Sequence, residues 1–339
     1  MITYILKNDA IILTLAYPET IVSHAEEWYS PFLRFLFVGS KKHVRAGHAA
    51  LVLINKSTGV LEYHDFGRYI TSSPNGRVRG KETDFELRFT LVAKIEDGTI
   101  INLDEILKFL GTHPKLTHGD GQLYASVCNA VNYNLARAHI TKMQHRHFIR
   151  YAAFIKDACN CARFVTDALI ASTTDSTIKK KLQNSKWFTP STIGNVVIAD
   201  TENDVYLVSE QGEIREFKST VRKENRKLFL DTLKGYNPDL SGTMAPKHND
   251  VKVEHAQWLS GIAAGAWFEI YDLESEPEFR FRRISPYGNI DSDGIYLIDK
   301  IGFDITIAYK FVHYSNCAFF FIEQHSIKYK FEFVKNYNA

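Results

Sequence analysis

The chain has 339 residues, 45% hydrophobic and 24% charged, so it is long enough for two globular domains that each bury a core. Its 41 basic and 39 acidic side chains leave a formal net charge of +2, which gives no global electrostatic reason to expect a nucleic-acid or anionic membrane partner. No apolar run approaches the roughly 18 residues of a membrane-spanning helix, and no signal-peptide pattern is apparent. We therefore expect a cytoplasmic protein without a membrane span.

The first hundred residues alternate strand and helix patterns. Residues 9–19 (DAIILTLAYPE) predict a buried strand that ends at a proline. Residues 23–39 have the spacing of an amphipathic helix, whose apolar side consists of Trp28, Phe32, Phe35 and Leu36. Residues 45–69 predict a β-hairpin, because two β-prone runs flank the turn sequence NKSTG. Another strand is predicted at 85–95.

The middle of the chain favours helices. A helix is predicted from 102 to 111, with Asn102 as its N-cap, and a second helical region at 121–144. Residues 148–155 predict a strand that leads into NCARFVTDALIAS, residues 160–172. That segment has the i, i+3, i+4, i+7, i+8 spacing of an amphipathic helix, formed by Cys161, Phe164, Val165, Ala168 and Leu169.

The last third of the chain has a different residue pattern. Residues 205–217 predict a hairpin, and the following stretch is charged and broken by glycine and proline, as in a linker with one short helix. From Trp258 onward, β-prone runs separated by turn signals predict a small all-β domain. We therefore divide the chain into a domain at 1–202, a hairpin and linker region at 203–257, and a β-domain at 258–339.

The four cysteines (Cys128, Cys159, Cys161 and Cys317) have no disulfide-framework spacing, which fits a reducing compartment. Cys161 falls in the first turn of its predicted helix, where unpaired N–H groups and the helix dipole favour a thiolate. A buried core cysteine is the alternative, because Cys161 also lies on the apolar stripe. A metal site lacks further ligands at recognisable spacing, so we expect no metal and no cofactor.

A cysteine nucleophile needs an imidazole to move its proton and a group to orient that imidazole. His48 is the best candidate base, because it starts a predicted strand after Gly47 and before two small alanines. The returning strand of the same hairpin offers His64 and Asp65 as the orienting group. Simple alternation favours Asp65 or Tyr63 on the His48 face, although a bulge or register slip would change this. The Gly-rich turn 117–122, with His118 and Asp120, is a further segment that suits a cleft wall or a turn leading into a helix.

The order of these elements resembles the circularly permuted branch of the NlpC-type papain-like cysteine hydrolases, a wider group that includes lecithin retinol acyltransferase. In that branch the histidine strand precedes the cysteine helix, and the resemblance covers roughly residues 5–200. It implies Cys161 as nucleophile, His48 as base and His64 as the third polar residue. More narrowly, the segments LAYPET, EWYSPFLRFL, RAGHAALVL, EYHDFGRY and NCARFV resemble a Bacteroidetes protein family of unknown function.

The sequence therefore predicts an α+β fold, with a permuted papain-like domain followed by a smaller, mostly β domain. The function that follows is a thiol hydrolase or acyltransferase acting on a small-molecule, peptide or acyl substrate with an amide or ester bond. The alternative is a non-catalytic binding or scaffold protein of the same fold. Cys161 is followed by Ala162, whereas many such hydrolases have serine or threonine there. No nucleic-acid partner is expected, and the oligomeric state is left open.

Overall fold

The structure is a computed structural model that describes residues 7–23, 43–231, 233, 255–261, 264–275 and 277–337. The chain forms two compact units, one comprising residues 1–67 and 89–237, the other residues 68–88 and 238–339. The helix predicted at 23–39 falls on residues 24–42, outside the described part of the chain. The predicted division at 202 and 257 stays a prediction.

The first unit combines strands and helices. Its strands are β1 (Ala10–Tyr17), β2 (Val22–Ser23), β3 (His43–Val44), β4 (His48–Asn55), β5 (Leu61–Gly67), β7 (Ile95–Glu96), β8 (Thr99–Ile100), β9 (Leu123–Val131), β10 (Ile149–Arg150), β11 (Tyr206–Val208) and β12 (Ile214–Glu216). Its helices are α1 (Leu103–Thr112), α2 (Pro114–Thr117), α3 (Tyr133–His145), α4 (Cys161–Ser172), α5 (Ser176–Ser185), α6 (Thr192–Ala199) and α7 (Val221–Phe229).

An antiparallel sheet organises this unit, with the strands in the order β5–β4–β1–β9–β11–β12. Strands β1 and β4 are buried along almost their whole length, because neighbouring strands flank both and helix α4 packs on β4. On another part of the sheet, helix α6 packs against β1 and β9 through Ile193 and Val196. The last residue of β1 and the first residue of β4 meet at one edge of this sheet, and the candidate site lies there.

Local patterns predicted several elements well. The hairpin β4–β5 is confirmed, with Ile54 opposite Leu61 and Ala50 opposite Asp65. The helix at 102–111, the cysteine helix and the hairpin at 205–217 are also confirmed, as helices α1 and α4 and strands β11 and β12.

Two segments differ from the prediction. Residues 123–131 form the central strand β9, and only 133–145 of the predicted helical region are helical. Strand β9 lies between β1 and β11, so most of its side chains are buried and no alternation distinguishes it from a buried helix. The strand predicted at 85–95 is instead a 3₁₀ turn, Phe85–Leu87, followed by irregular chain.

The second unit is a β-domain. Its strands are β6 (Asn75–Arg79), β13 (Gln257–Gly261), β14 (Ala264–Ser275), β15 (Glu278–Ile284), β16 (Ile290–Ile298), β17 (Lys310–Val312), β18 (Phe319–Gln324) and β19 (Ile327–Asn336). Seven of these described strands form an antiparallel sheet in the order β13–β14–β15–β16–β19–β18–β17. Stacked and edge-on phenylalanines, among them Phe281, Phe320 and Phe331, fill its core. A mixed α/β chain with a C-terminal β-domain is therefore confirmed.

A buried ion cluster attaches residues 68–88 to this β-domain. The Arg77 guanidinium makes a bidentate pair with Asp84 at 2.6 and 2.7 Å, and Arg283 also donates to Asp84 at 3.2 Å. Arg283 reaches Glu86 at 2.9 Å and Asp291 at 3.3 Å. Pairing is what makes such burial tolerable, because an unpaired buried charge is strongly destabilising.

Candidate active site

Three strand positions bring the candidate residues together. In the β1–β4 register, Tyr17 lies opposite His48, and in the β4–β5 register Asp65 lies opposite Ala50. Side chains alternate along a strand, so His48 shares its face with Ala50 and Asp65. His48 and Asp65 are therefore diagonal neighbours on one face of the sheet, as alternation from the turn predicts.

His48 is in contact with both a carboxylate and a thiol. Its Nε2 lies 2.9 Å from Oδ2 of Asp65, and the ring also hydrogen-bonds the Cys161 thiol. Burial by itself lowers the pKa of His48, but Asp65 and then Cys161 outweigh it and raise that pKa to about 9. The imidazolium form is thus stabilised between the other two groups.

Cys161 is the first residue of helix α4. The side chain of Asn160 caps this helix by accepting a hydrogen bond from the Arg163 N–H at 2.9 Å, as expected of an N-cap asparagine. The Cys161 Sγ lies 3.9 Å from the carbonyl oxygen of Gly47, the residue before His48. Gly47 has φ of +75°, and a Cβ there would lie 2.9 Å from the Pro18 Cα, so this close approach requires glycine.

The first turn of helix α4 is fixed from helix α6. Asn195 donates from Nδ2 to the Ala162 carbonyl at 2.8 Å, and its Oδ1 accepts from the Thr166 hydroxyl at 2.7 Å. All three residues are buried. This network orients the turn that carries Cys161, and no local motif predicts it, because it joins residues about 30 positions apart.

Two tyrosines support the histidine and the aspartate. The Tyr17 ring stacks on His48 with centroids 6.4 Å apart, and its hydroxyl donates to the Leu110 carbonyl at 3.1 Å. The Tyr63 hydroxyl lies 3.2 Å from Oδ2 of Asp65 and 3.1 Å from the Thr117 carbonyl oxygen. Alternation had placed Tyr63 on this face. Tyr17 was missed, because its position opposite His48 follows from the β1–β4 pairing rather than from a local motif.

His64 lies apart from this cluster. As the neighbour of Asp65 on the same strand it faces the other side of the sheet, where its Nε2 is 3.3 Å from Nη1 of Arg137. Its Nε2 is also 3.9 Å from the Glu62 carboxylate. Of the four predicted residues, the structure thus brings together Cys161, His48 and Asp65, whereas His64 belongs to a separate polar contact.

The other cysteines have a different environment. All four cysteines are free, and burial raises the pKa of the Cys128 and Cys159 thiols to about 12. Among the residues that the structure describes, no imidazole acts on either thiol. These two thiols are therefore protonated at neutral pH, and they serve as internal references for the reactivity of Cys161.

The turn 117–122 lies close to the cluster. Asp120 is near enough that the charge of His48 acts on it, although burial is the larger influence and raises the pKa of Asp120. Its N–H donates to the Thr20 hydroxyl at 2.8 Å. The turn leads into strand β9 rather than into a helix, which corrects one of the two alternatives for this segment.

Within the described parts of the chain, no group of three or more His, Cys, Asp or Glu residues is arranged to hold a metal ion. No helix in those parts is long and apolar enough to cross a bilayer.

Comparisons with known proteins match two separate parts of the chain. A family model described as type VI secretion system effector TseH-like matches residues 12–178, just under half of the chain. Residues 12–178 are thus similar to the TseH-like effector family. A second family model, the DUF6695 C-terminal domain, matches residues 256–334.

Among solved structures, a crystal structure of the type VI secretion system effector TseH is similar to this chain at 19% identity and a TM-score of 0.43. The match covers 62% of this chain and 99% of that one. A comparison with curated proteins found no match.

Proposed function

We propose that the chain is a thiol hydrolase or acyltransferase that acts on an amide or ester bond of a small-molecule, peptide or acyl substrate. Cys161 is the nucleophile, His48 is the general base and then the general acid, and Asp65 orients the imidazole. The observation that carries the proposal is the position of His48, hydrogen-bonded to Asp65 at 2.9 Å and to the Cys161 thiol. This is the arrangement by which a base activates a nucleophile while a third group orients the base.

The first half of the reaction forms a thioester. Because Asp65 holds Nε2 of His48, Nδ1 is the nitrogen that accepts the Cys161 proton. The thiolate attacks the substrate carbonyl carbon, and the C–N or C–O bond breaks. The leaving amine or alcohol takes the proton from His48 as it departs. The N–H of Cys161, at the start of helix α4, is a candidate donor to the oxyanion.

The second half releases the acyl group. In a hydrolase, His48 takes a proton from water, and the resulting hydroxide attacks the thioester carbonyl. The C–S bond then breaks, and the proton returns from His48 to the Cys161 sulfur. An alcohol or amine in place of water gives acyl transfer by the same steps, so both reactions suit the same three residues.

The order of the elements supports a papain-like domain in its circularly permuted form. The histidine strand β4 precedes the cysteine helix α4, as in the permuted branch that the sequence resembles. The matching family is described as a secretion-system effector, and we infer that this chain exerts an effector role through the same hydrolytic site. Cytoplasmic location stays a prediction.

Competitive alkylation of the cysteines tests the proposal. With limiting iodoacetamide at pH 6.5, Cys161 is expected to be labelled at least about tenfold faster than Cys128 or Cys159, as read by peptide mass spectrometry. His48→Gln is expected to abolish most of this advantage. In a second assay, p-nitrophenyl acetate is expected to leave an acyl adduct on wild-type protein and none on Cys161→Ala.

The opposite result would identify a different kind of protein. If Cys161 reacts as slowly as Cys128 in a folded wild-type chain and forms no acyl adduct, the thiol is not activated. The chain would then be a non-catalytic binding protein of the same fold. Circular dichroism on each variant separates loss of activation from loss of folding.

A further inference from the structure

Three large aromatic side chains are exposed together on the first unit. Phe154 lies in the loop before helix α4, and Trp187 and Phe188 lie in the loop between helices α5 and α6. The rings of Phe154 and Phe188 meet edge to face with centroids 4.9 Å apart. Trp187 is 94% exposed and Phe188 76% exposed. We call these three residues the aromatic tip.

Each loop of the aromatic tip leads directly into the candidate active site. The loop holding Phe154 is closed by a hydrogen bond from the Ala152 N–H to the Cys159 carbonyl at 3.0 Å, two residues before Cys161. The other loop ends at helix α6, where the Thr192 hydroxyl lies beside Gly47. The tip therefore lies on the same side of the unit as the start of helix α4.

The shape of the tip does not suit a small ligand. Pockets for small molecules are concave and bury most of the ligand surface, whereas Trp187 projects almost fully into solvent. Covering each of these side chains by a binding partner would stabilise the complex by about 1.5–3 kcal/mol. The tip is thus suited to insert into an apolar phase or a partner surface.

Basic side chains surround the tip. Arg146 at the end of helix α3 donates to the Asp157 carbonyl in the Phe154 loop at 3.4 Å, and the charges of Lys142 and Lys186 both act on His139. Lys180 and Lys181 lie on helix α5, which ends at Ser185, two residues before Trp187. The exposed cations on these elements are Lys142, Arg146, Lys156, Lys180, Lys181 and Lys186.

The acidic groups on these elements offset only part of this charge. Asp167 is paired with Lys186 at 2.5 Å, and Asp175 caps the far end of helix α5. Asp157 is the remaining carboxylate, in the Phe154 loop. Around the tip the local charge is therefore positive, although the whole chain has a net charge of only +2.

We propose that the aromatic tip and its basic surround dock on an anionic lipid bilayer, with Trp187 and Phe188 inserted among the headgroups. Tryptophan is enriched at membrane interfaces, and lysines near the surface add attraction to anionic lipid. A protein interface is a poorer fit, because lysine is depleted from the cores of such interfaces. Docking would place the start of helix α4, which carries Cys161, on the side of the unit that faces the membrane.

Vesicle binding tests this proposal without any measurement of catalysis. The intact chain is incubated with vesicles of phosphatidylcholine, with or without phosphatidylglycerol, and the bound fraction is measured by sedimentation. We expect binding to the anionic vesicles that weakens as salt is raised. Trp187→Ala with Phe188→Ala is expected to lower the partition coefficient about a hundredfold or more. Lys180→Gln with Lys181→Gln is expected to lower it about thirtyfold.

Two controls make the result specific. Ile301→Ala removes a side chain that is 92% exposed in the other unit, and it should leave binding unchanged. Cys161→Ala should also bind like the wild type, so failure of the proposed chemistry does not affect this assay. The proposal is overturned if the wild type binds neither kind of vesicle, which would favour a protein partner. Equal binding to neutral vesicles, or equal loss in Ile301→Ala, also overturns it.

Discussion

Asp65→Asn is the most informative single substitution, because it removes one charge from the candidate site and keeps the shape of the side chain. The carboxylate of Asp65 is buried and lies 2.9 Å from Nε2 of His48. It is the largest of the influences that raise the pKa of His48. Burial of the imidazole acts in the opposite direction and persists in the variant.

The size of the effect follows from the pKa of His48. The shift from 6.5 to about 9 corresponds to about 3 kcal/mol in favour of the imidazolium, at 1.36 kcal/mol for each pKa unit. Without the Asp65 charge, burial opposes only the influence of Cys161, and we expect the pKa of His48 to fall to about 6.5. At pH 7.5 the protonated fraction would then fall from nearly complete to about a tenth or less.

Two measurements on Asp65→Asn check this reasoning. The pKa of His48 is measured by NMR titration, with its signal assigned by its absence in His48→Gln. Labelling of Cys161 at pH 7.5 is expected to fall about tenfold, because the thiolate loses its imidazolium partner. His64→Gln is the matched control on the opposite face of the same hairpin, and it should keep fast labelling. A His48 pKa that stays above about 8 in Asp65→Asn would refute the argument, as would an equal loss in a folded His64→Gln.

Three further substitutions test the surroundings. Tyr63→Phe removes the hydroxyl between Asp65 and the Thr117 carbonyl, so we expect a loss of about 1 kcal/mol in unfolding free energy and slower Cys161 labelling; unchanged labelling would contradict this. Gly119→Ala places a Cβ 2.1 Å from the Tyr17 ring. We therefore expect Tyr17 to be displaced and the unfolding free energy to fall by about 1–3 kcal/mol. An unfolding free energy equal to that of the wild type in chemical denaturation would disprove this. Burial raises the pKa of Asp291 from 3.8 to about 7, and the charges of Glu86 and Asp84 add to this effect, which outweighs the opposite influence of Arg283. Between these two pH values Asp291 is protonated in the folded state and ionised in the unfolded state. The folded state therefore loses stability as pH rises through this interval. In Asp291→Asn, the unfolding free energy should fall less between pH 4 and 7 than it does in the wild type. If plots of unfolding free energy against pH run parallel for the two proteins, the reasoning is wrong.

Local sequence patterns predicted the structure correctly where a single short stretch of chain contains the whole motif. The β4–β5 hairpin has its turn and both strands within residues 48–67, and its alternation indicated that Asp65 shares a face with His48. The family resemblance favoured His64 instead, yet neighbouring residues on a strand cannot share a face. The alternation of a strand therefore indicated which carboxylate contacts His48, and its orienting role stays a proposal.

Local signals failed where distant partners decide the structure. Residues 85–95 alternate like a strand, but the chain passes from one compact unit to the other between Arg88 and Phe89. Phe85 packs on Phe333, whereas Phe89 packs on Phe109. In the same way, the pairing of Asp84 with Arg283 joins residues 199 positions apart. No periodicity in the sequence reports such contacts.

The aromatic tip and the thiol share one short supporting segment, which leads to a last prediction. Trp187 and Phe188 precede helix α6, and Asn195 of that helix fixes the Ala162 carbonyl in the first turn of helix α4. Residues 187–195 therefore connect the surface that we expect to contact lipid with the turn that holds Cys161. Anionic vesicles should change the rate of Cys161 alkylation in the wild type, and they should have no effect in Trp187→Ala with Phe188→Ala. Cys128, buried in strand β9, is the internal reference in both proteins. If the vesicles bind and the alkylation rate stays the same, binding at the tip does not reach the turn that holds Cys161, and this prediction is wrong.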